Sequence, residues 1–378
     1  MERSARPAWL RLGEPGIRGR QAAAGWLFLA PVIVILGVFL VLPILMAAWV
    51  SFSDWSGNGS PLGSHAHFVG LDNYRHLLTT PGLDQNNFGT SIRNNFYYVI
   101  LVVPIQTAVA LFLAVLVNRR VKGVGFFRTA FYFPSVTSSV AITVLFLFLF
   151  SPAGAINKLL SYAGVNGPAW LYDPRGLFHV ILGQLGVSQP SSSLSNGTFL
   201  GVSYWDWLSG PSVAMCVFIV MAVFTTSGTF MLLFLAALQN IDESVNEAAG
   251  LDGATEWRKF RYITAPMIKP TIFTVLTLGV IGTWQIFDQI YVGTQGSPQG
   301  TTLTPAFLSF NASFNGGEWG VGAAVAFILF AIIVFFTVAT RVVTRDRDRL
   351  PRRRRFGPKP GGPTRRSRVA SGVSGVQR

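Results

Sequence analysis

Residues 239–266 read QNIDESVNEAAGLDGATEWRKFRYITAP, a charged segment that separates two long apolar runs. Ser244 and Glu247 have the spacing of a capping box, in which each side chain bonds a free backbone N–H, and they predict the start of a short helix. Gly253 is predicted to end that helix. Beyond it, apolar residues recur at every third position: Leu251, Ala254, Trp257 and Phe260. This apolar stripe predicts a second short helix. We therefore expect a structured polar loop, residues 239–270, between two apolar helices.

The composition of the chain is that of an integral membrane protein. Of its 378 residues 50% are hydrophobic and only 12% are charged, about half the charge of a soluble domain. A membrane-spanning helix needs about 20 mostly apolar residues. Six runs meet this requirement: 26–52, 96–117, 131–150, 213–238, 271–292 and 321–343. The prediction is an all-α integral membrane protein with six transmembrane helices, which excludes a disordered protein and a typical cytosolic enzyme.

The basic residues are distributed asymmetrically about these six runs. With six spans, 26 of the 30 Lys and Arg residues fall on one side of the membrane. That side faces the cytoplasm in membrane proteins, so both termini and the 239–270 loop are expected there. A seventh span within 176–205 would export the basic C-terminal tail, and its apolar part, 177–187, is too short to cross.

The same patterns divide the chain into three parts. Residues 1–23 form a basic cytoplasmic N-terminus, residues 24–343 a six-span domain, and residues 344–378 an Arg-rich tail that is expected to be disordered. Because the tail has a single aromatic residue, Phe356, among its arginines, we expect it to lie on anionic membrane lipids rather than to bind nucleic acid. The segment 174–208 is expected to be an insertion on the outer side.

The sequence carries no motif that would make the chain an enzyme by itself. It contains no GxxxxGK[ST] phosphate loop, no HExxH zinc motif and no GxSxG nucleophile motif. The single cysteine, Cys216, excludes an internal disulfide. We therefore expect no catalytic residue, no metal site and no cofactor in this chain.

The 239–266 loop contains a recognisable spacing: Glu247-Ala248-Ala249, three residues, Gly253, nine residues, Ile263, one residue, and Ala265-Pro266. It resembles the EAA loop of binding-protein-dependent ABC importer permeases, EAA-x3-G-x9-I-x-L-P, and departs from it at Ala265. The resemblance extends over residues 24–343 through five further segments: 27–43, 68–74, 127–134, 228–239 and 287–292. These look like the first permease subunit of carbohydrate importers, of the maltose, glycerol-phosphate and trehalose type.

This resemblance implies a type I ABC importer permease with several partners. They are a second, similar permease, two ATPase subunits that bind ATP and magnesium, and an extracytoplasmic solute-binding protein or lipoprotein in a bacterial cytoplasmic membrane. The EAA helix of such permeases sits in a cleft of an ATPase. The residues that would form this coupling surface are Glu247, Ala248, Ala249, Gly250, Asp252, Gly253 and Trp257.

Polar residues within the fourth and fifth runs are the candidates for a sugar path: Thr225, Thr226, Ser227, Thr283, Trp284, Gln285 and Asp288. A sugar is bound by stacking on aromatic faces and by hydrogen bonds to its hydroxyls, which Trp284 and Gln285 together offer. In membrane helices, hydroxyl side chains often bond only the helix backbone and not a solute. This alternative stays open for the Thr and Ser residues.

Apart from Arg341 near the end of the sixth run, Asp288 is the only charge expected inside the six spans, about 25 Å along the fifth helix from Thr271. Embedded carboxylates are usually functional, but a structural or gating role is equally compatible with this depth. Because the six spans contain no Lys or Arg except Arg341 at the very end of the sixth, they offer no central cation to bind an anion, and we favour a neutral sugar over glycerol phosphate or another non-sugar solute. A secondary transporter is the competing class, and it would require more embedded charge for ion coupling.

Overall fold

The structure is a computed structural model that describes residues 20–118, 122–186 and 192–344. The rest of the basic N-terminus and the Arg-rich tail from residue 345 lie outside the described residues. The helices, numbered in chain order, are α1 Arg20–Leu36, α2 Leu42–Ser51, α3 Asp72–Leu78, α4 Leu83–Val117, α5 Val124–Val136, α6 Ser139–Leu149, α7 Ala155–Tyr162, α8 Leu177–Gln184, α9 Ser192–Asn196, α10 Tyr204–Trp207, α11 Val213–Gln239, α12 Glu243–Leu251, α13 Glu256–Lys259, α14 Ala265–Met267, α15 Lys269–Trp284, α16 Asp288–Gly293, α17 Pro305–Phe310 and α18 Trp319–Thr344.

Five of the six predicted spans coincide with helices that are long and apolar enough to cross a membrane, namely Ala24–Ser51, Leu83–Val117, Val213–Gln239, Lys269–Gly293 and Trp319–Val342. The first of them runs from α1 into α2 through a π-helical turn, Gly37–Val41. This turn directly precedes Pro43, whose ring and missing N–H disturb the regular hydrogen-bond ladder. The predicted helical bundle is therefore confirmed for these five spans.

The third predicted span, 131–150, corresponds to two helices that can form one broken span, and not to a single continuous helix. Helices α5 and α6 meet at an angle of 96°, because Thr137 and Ser138 both take extended backbone angles between them. Two hydroxyls bond the carbonyls freed at the end of α5: Ser135 Oγ donates to Tyr132 O, and Thr137 Oγ1 donates to Phe133 O. The third span is thus a bent pair of helices that is stabilised by local side-chain hydrogen bonds.

Helix α4 is longer than the second predicted span. Its 35 residues extend about 50 Å, well beyond the roughly 30 Å apolar layer of a bilayer. The polar residues 83–95 were not counted as a span because they interrupt the apolar run. The extension carries Arg93, which is 8% exposed, so α4 holds a buried charge just outside the predicted span 96–117.

Helix α11 occupies the centre of the bundle and packs along α4. Two apolar clusters fill the interface, one around Phe218 and Met221 and one around Phe234 and Ala110. Gly228 allows α5 to cross α11 closely, since a Cβ there would collide with the carbonyl oxygen of Phe131. Side-chain interdigitation at this crossing places the middle of α11 against the bent pair.

The two ends of the bundle differ in structure. The loop end carries residues 240–268, and the opposite end carries residues 52–82, 150–212 and 294–318. The described residues of the segment 174–208, which is predicted to be an insertion, lie at the opposite end, where β1 Thr198–Phe199 and β2 Val202–Ser203 form an antiparallel hairpin. Its apolar part forms only the eight-residue helix α8, too short to cross a membrane, as predicted.

The insertion is attached to the extended part of α4. Asn86 Nδ2 donates a hydrogen bond of 2.8 Å to Gly201 O, and Arg93 Nη1 lies 3.4 Å from Asp206 O. The rings of His179 and Trp205 stack with their centres 4.2 Å apart. The insertion is therefore a packed element of the opposite end.

Candidate functional site

The first candidate region is the 239–266 loop, which folds into the two expected short helices with two differences. Asp242, and not Ser244, caps α12: its Oδ1 accepts a 2.9 Å hydrogen bond from the backbone N–H of Ser244. This bond lowers the pKa of Asp242 below its ordinary value. The second helix, α13, is only four residues long and is capped by Thr255, because a π-helical turn, Phe260–Thr264, replaces the continuous helix that the apolar stripe predicted.

Gly253 ends α12 as predicted. Its φ angle is +73°, which lies in the left-handed region that glycine adopts without steric cost. The backbone N–H groups of Gly253 and Ala254 bond the carbonyls of Gly250 and Ala249 at 3.0 Å. A side chain at position 253 would meet no other atom within 4 Å, so only the backbone conformation requires glycine here.

Most of the predicted coupling residues form an exposed surface. Glu247, Ala248, Gly250, Asp252, Gly253 and Trp257 are exposed. Ala249 is buried; it faces the chain and does not contribute to that surface, because a helix cannot expose every residue of a consecutive run. Large apolar side chains accompany the exposed set: Leu251 is 91% exposed and Trp257 70% exposed.

The second candidate region consists of two cavities that meet beside the middle of α11. A cavity of about 250 Å³ lies between α4, α11 and the interrupted helix α15–α16. A cavity of about 300 Å³ lies between α11 and the bent pair α5–α6. Four residues line both: Thr225, Thr226, Phe230 and Gln289. We call the pair of cavities the central cleft.

Five of the seven predicted path residues line the central cleft: Thr225, Thr226, Thr283, Gln285 and Asp288. The hydroxyls of Thr225 and Thr283 donate to carbonyls of their own helices, the alternative that the sequence left open. Gln285 and Asp288 are exposed towards the cleft. The interruption of the helix between them leaves their side chains free of the regular helical packing.

Trp284 and Ser227 are placed elsewhere, so the stacking surface expected from Trp284 is wrong for this conformation. Trp284 is 1% exposed, and its ring stacks on Phe336 of α18 with centres 5.4 Å apart. One residue along a helix turns the side chain by about 100°, which is enough to direct Gln285 to the cleft and Trp284 to the core. Ser227 is buried and lies outside the lining of the central cleft.

The lining residues that sequence reasoning missed include Tyr98, Gln106, Phe230 and Gln289. Gln106 is 1% exposed and lies on α4, outside the two spans that the search for polar residues covered. Its amide contacts Thr226 Oγ1 at 2.6 Å, and within the described part of the chain its Nε2 has no hydrogen-bond partner. A glutamine within an otherwise apolar run was the available signal.

Gln106 fits against α15 because of a glycine. A Cβ at Gly279 would lie 2.6 Å from Gln106 Nε2, so only glycine leaves room for the amide. The Thr226 hydroxyl has one hydrogen and already lies 2.7 Å from Ala222 O. One polar atom of the Gln106 amide is therefore uncommitted in either orientation, although the side chain is buried at the edge of the cleft.

The lining of the central cleft is polar and mainly uncharged. Hydroxyl and amide groups alternate with the aromatic rings of Tyr98, Phe230 and Phe287, and Asp288 is the charged member. In residues 20–118, 122–186 and 192–344 no group of three or more His, Cys, Asp and Glu side chains could hold a metal ion. The cleft offers hydrogen bonds and aromatic faces and has no cationic group to bind an anion.

Comparison with known proteins gives the same assignment. The model of the family described as "binding-protein-dependent transport system inner membrane component" matches residues 106–349. The lactose transport system permease protein of Rhizobium radiobacter is 30% identical over 327 residues, which cover 85% of this chain and 94% of that protein. The trehalose/maltose transport system permease protein of Thermococcus litoralis is 29% identical over 331 residues, 88% and 97% of the two chains.

A solved structure shares the fold. It is a bacterial ABC transporter involved in the import of the acidic polysaccharide alginate, with a TM-score of 0.64, 19% identity and coverage of 86% of this chain and 96% of that one. The helical bundle is that of a type I ABC importer permease. With the family match over most of its length, the chain belongs to the binding-protein-dependent transport system inner membrane component family.

Proposed function

We propose that the chain is one of two permease subunits of an ATP-driven importer and forms half of the path for a neutral sugar or oligosaccharide. The lining of the central cleft carries this proposal. Its amide and hydroxyl groups suit the hydroxyls of a sugar, and its aromatic rings suit the apolar faces of a sugar ring. Relatives named for lactose and for trehalose/maltose support the same substrate class.

The charge of the cleft argues against an anionic solute such as glycerol phosphate. Phosphate and carboxylate groups are usually bound by Arg, Lys or helix N-termini, whereas the charged residue here is Asp288. The alginate transporter shares the fold at 19% identity, which supports no inference about an acidic substrate in this chain.

The remaining assembly is proposed from the family. A second, similar permease would complete the path, and an extracytoplasmic binding protein would deliver the solute. Two ATPase subunits would bind ATP and magnesium and supply the energy. The basic residues favour an orientation in a bacterial cytoplasmic membrane with both termini and the 239–266 loop in the cytoplasm.

The loop is proposed to transmit the movement of an ATPase to the bundle. The exposed surface around Glu247 and Trp257 would dock in the ATPase, and its apolar side chains would be buried on docking. Closure of the ATPases would then move the bundles as rigid bodies and open the central cleft alternately to the two sides. Only a surface that stays bound to the ATPase in both its open and its closed state can transmit this movement.

Uptake of labelled lactose, maltose and trehalose by cells with and without the subunit tests the substrate class. Loss of uptake of at least one sugar in the deletion strain, restored by a plasmid copy, is the expected result. Unchanged uptake of all three, with loss of glycerol phosphate uptake, would contradict the proposal and favour the non-sugar alternative.

The variant Gly253→Ala tests the coupling role. A left-handed φ at a non-glycine residue costs about 1–2 kcal/mol, so we expect the turn after α12 to shift and solute-stimulated ATP hydrolysis to fall several-fold. Gly164→Ala is the matched control, since Gly164 has a φ of +74° and equally open surroundings at the opposite end. Equal ATPase activity in the two variants would contradict the coupling role.

A further inference from the structure

The interruption of the fifth span leaves backbone carbonyls without helical partners. Helix α15 ends at Trp284 and α16 begins at Asp288. In a membrane-spanning helix such carbonyls are costly unless another group in the protein bonds them. Two side chains do so here: Asn95 Nδ2 donates to Trp284 O at 3.2 Å, and Thr304 Oγ1 donates to Ile286 O at 3.1 Å.

Both donors are fully buried. Asn95 and Thr304 have no measurable exposure, so water cannot replace either hydrogen bond if the side chain is changed. The carbonyl acceptor also fixes the orientation of the Asn95 amide, because only its NH₂ group can donate to Trp284 O. The loss of one donor would leave a buried carbonyl unbonded.

The neighbouring residues of Asn95 attach the same turn of α4 to the segment that carries Thr304. Asn94 Nδ2 donates to Gly300 O at 2.8 Å and to Leu303 O at 3.0 Å. Arg93 Nη2 donates to Asn94 Oδ1 at 2.9 Å and thereby fixes the Asn94 amide. One buried turn, residues 93–95, thus holds both the end of α15 and the segment whose Thr304 bonds the interruption.

We propose that Asn95 and Thr304 are positioning residues for the solute path: their hydrogen bonds to the interrupted helix hold Gln285 and Asp288 against the central cleft. Neither donor lines the cleft, so neither is assigned a contact with the solute. They act through the backbone of residues 284–286. The inference rests on the proposed function only in its use of the cleft as a path.

Thiol accessibility tests this positioning without a known substrate. The assembled transporter, in membranes, carries Cys216→Ser and a reporter, Gln285→Cys, and is labelled with a small methanethiosulfonate reagent. Asn95→Leu removes the donor at similar volume, and Thr304→Val removes the hydroxyl without changing the shape of the side chain. We expect the labelling rate of the reporter to change roughly five-fold or more in each variant, the factor that corresponds to about 1 kcal/mol.

Two controls separate positioning from general loosening. Ser91→Ala removes a buried hydroxyl on α4 that bonds only Phe88 O of the same helix, and it is expected to leave the labelling rate unchanged. A second reporter, Thr229→Cys, lines the cleft on α11 and is expected to keep its rate in both variants.

Unchanged labelling of Gln285→Cys in Thr304→Val and Asn95→Leu would overturn the proposal. An equal change at both reporters would also overturn it, since it would show a general structural role. If Asn95→Leu does not assemble, the isosteric Thr304→Val decides alone. A failure of sugar uptake would refute the proposed function and leave the labelling result valid, so the two failures are distinguishable.

Discussion

The turn at residues 93–95 and the 239–266 loop differ in where their side chains find hydrogen-bond and packing partners. In the turn, three polar residues are buried and bond carbonyls of distant segments, at positions 206, 284, 300 and 303. In the loop, the capping hydrogen bonds join residues two or three positions apart, and the large apolar side chains of Leu251 and Trp257 are exposed.

The difference indicates what each region needs for stability. The turn finds its partners within this chain, so its residues stabilise the fold of the permease itself. The exposed apolar side chains of the loop gain little within this chain and become stabilised only when another surface covers them. Substitutions in the two regions should therefore affect different measurements.

Asn94→Ala is expected to give the largest loss of stability. It removes two hydrogen bonds to the carbonyls of Gly300 and Leu303 and one of the two acceptors of buried Arg93, at a cost of roughly 2–3 kcal/mol in the free energy of unfolding. The midpoint of thermal unfolding of the purified permease should fall. Asn86→Ala is the matched control: Asn86 also bonds a distant carbonyl, Gly201 O, but is exposed, so water replaces the lost bond. Equal shifts in both variants would contradict the role of burial.

Trp257→Ala is expected to weaken the association with the ATPase by about 2 kcal/mol, roughly thirty-fold, as for an aromatic residue at the centre of an interface. The thermal stability of the isolated permease should hardly change, because Trp257 is exposed there. Co-purification and a binding titration measure the effect. Tyr162→Ala, an equally exposed aromatic at the opposite end, should bind the ATPase normally. Normal binding by Trp257→Ala would remove the contrast between the two regions.

Asp242→Ala is expected to have the smallest effect. Loss of the cap weakens the first turn of α12, which hydrogen exchange of the amides of α12 would report, and Asp242→Asn should restore most of the protection. The pKa of Asp242 is lowered in the folded loop, so its contribution is present above the ordinary Asp pKa. It is lost only as the pH falls below about 4. Protection of α12 that changed between pH 6 and pH 8 would contradict this assignment.

The sequence predicted what depends on length and apolarity. The long runs gave five spans and the short run 177–187 was correctly left out of the membrane, because these decisions need only about 20 apolar residues in succession. The motif spacing also located the end of α12 at Gly253. The family resemblance supplied the fold class, which composition alone could not distinguish from that of other membrane bundles.

The features that depend on backbone geometry, or on which side of a helix a residue occupies, were not predictable in the same way. The 131–150 run is uniformly apolar apart from a few small polar residues, and the bend at Thr137 and Ser138 depends on their backbone angles. Trp284 was chosen for its residue type, while its rotation about the helix directs it to the core. Gln106 was missed because its partners, Thr226 and Gly279, are far from it in sequence and become neighbours only after folding.

Helix α4 also restricts where such a chain can change in length during evolution. Asn95 and Gln106 lie about three turns apart and hence on one face of α4, where both contact the interrupted helix. A one-residue insertion or deletion between them would rotate one contact by about 100° relative to the other and would break at least one. Length changes are usually tolerated in surface loops, whereas we expect the stretch 95–106 to keep a fixed count of residues even where its apolar side chains are exchanged.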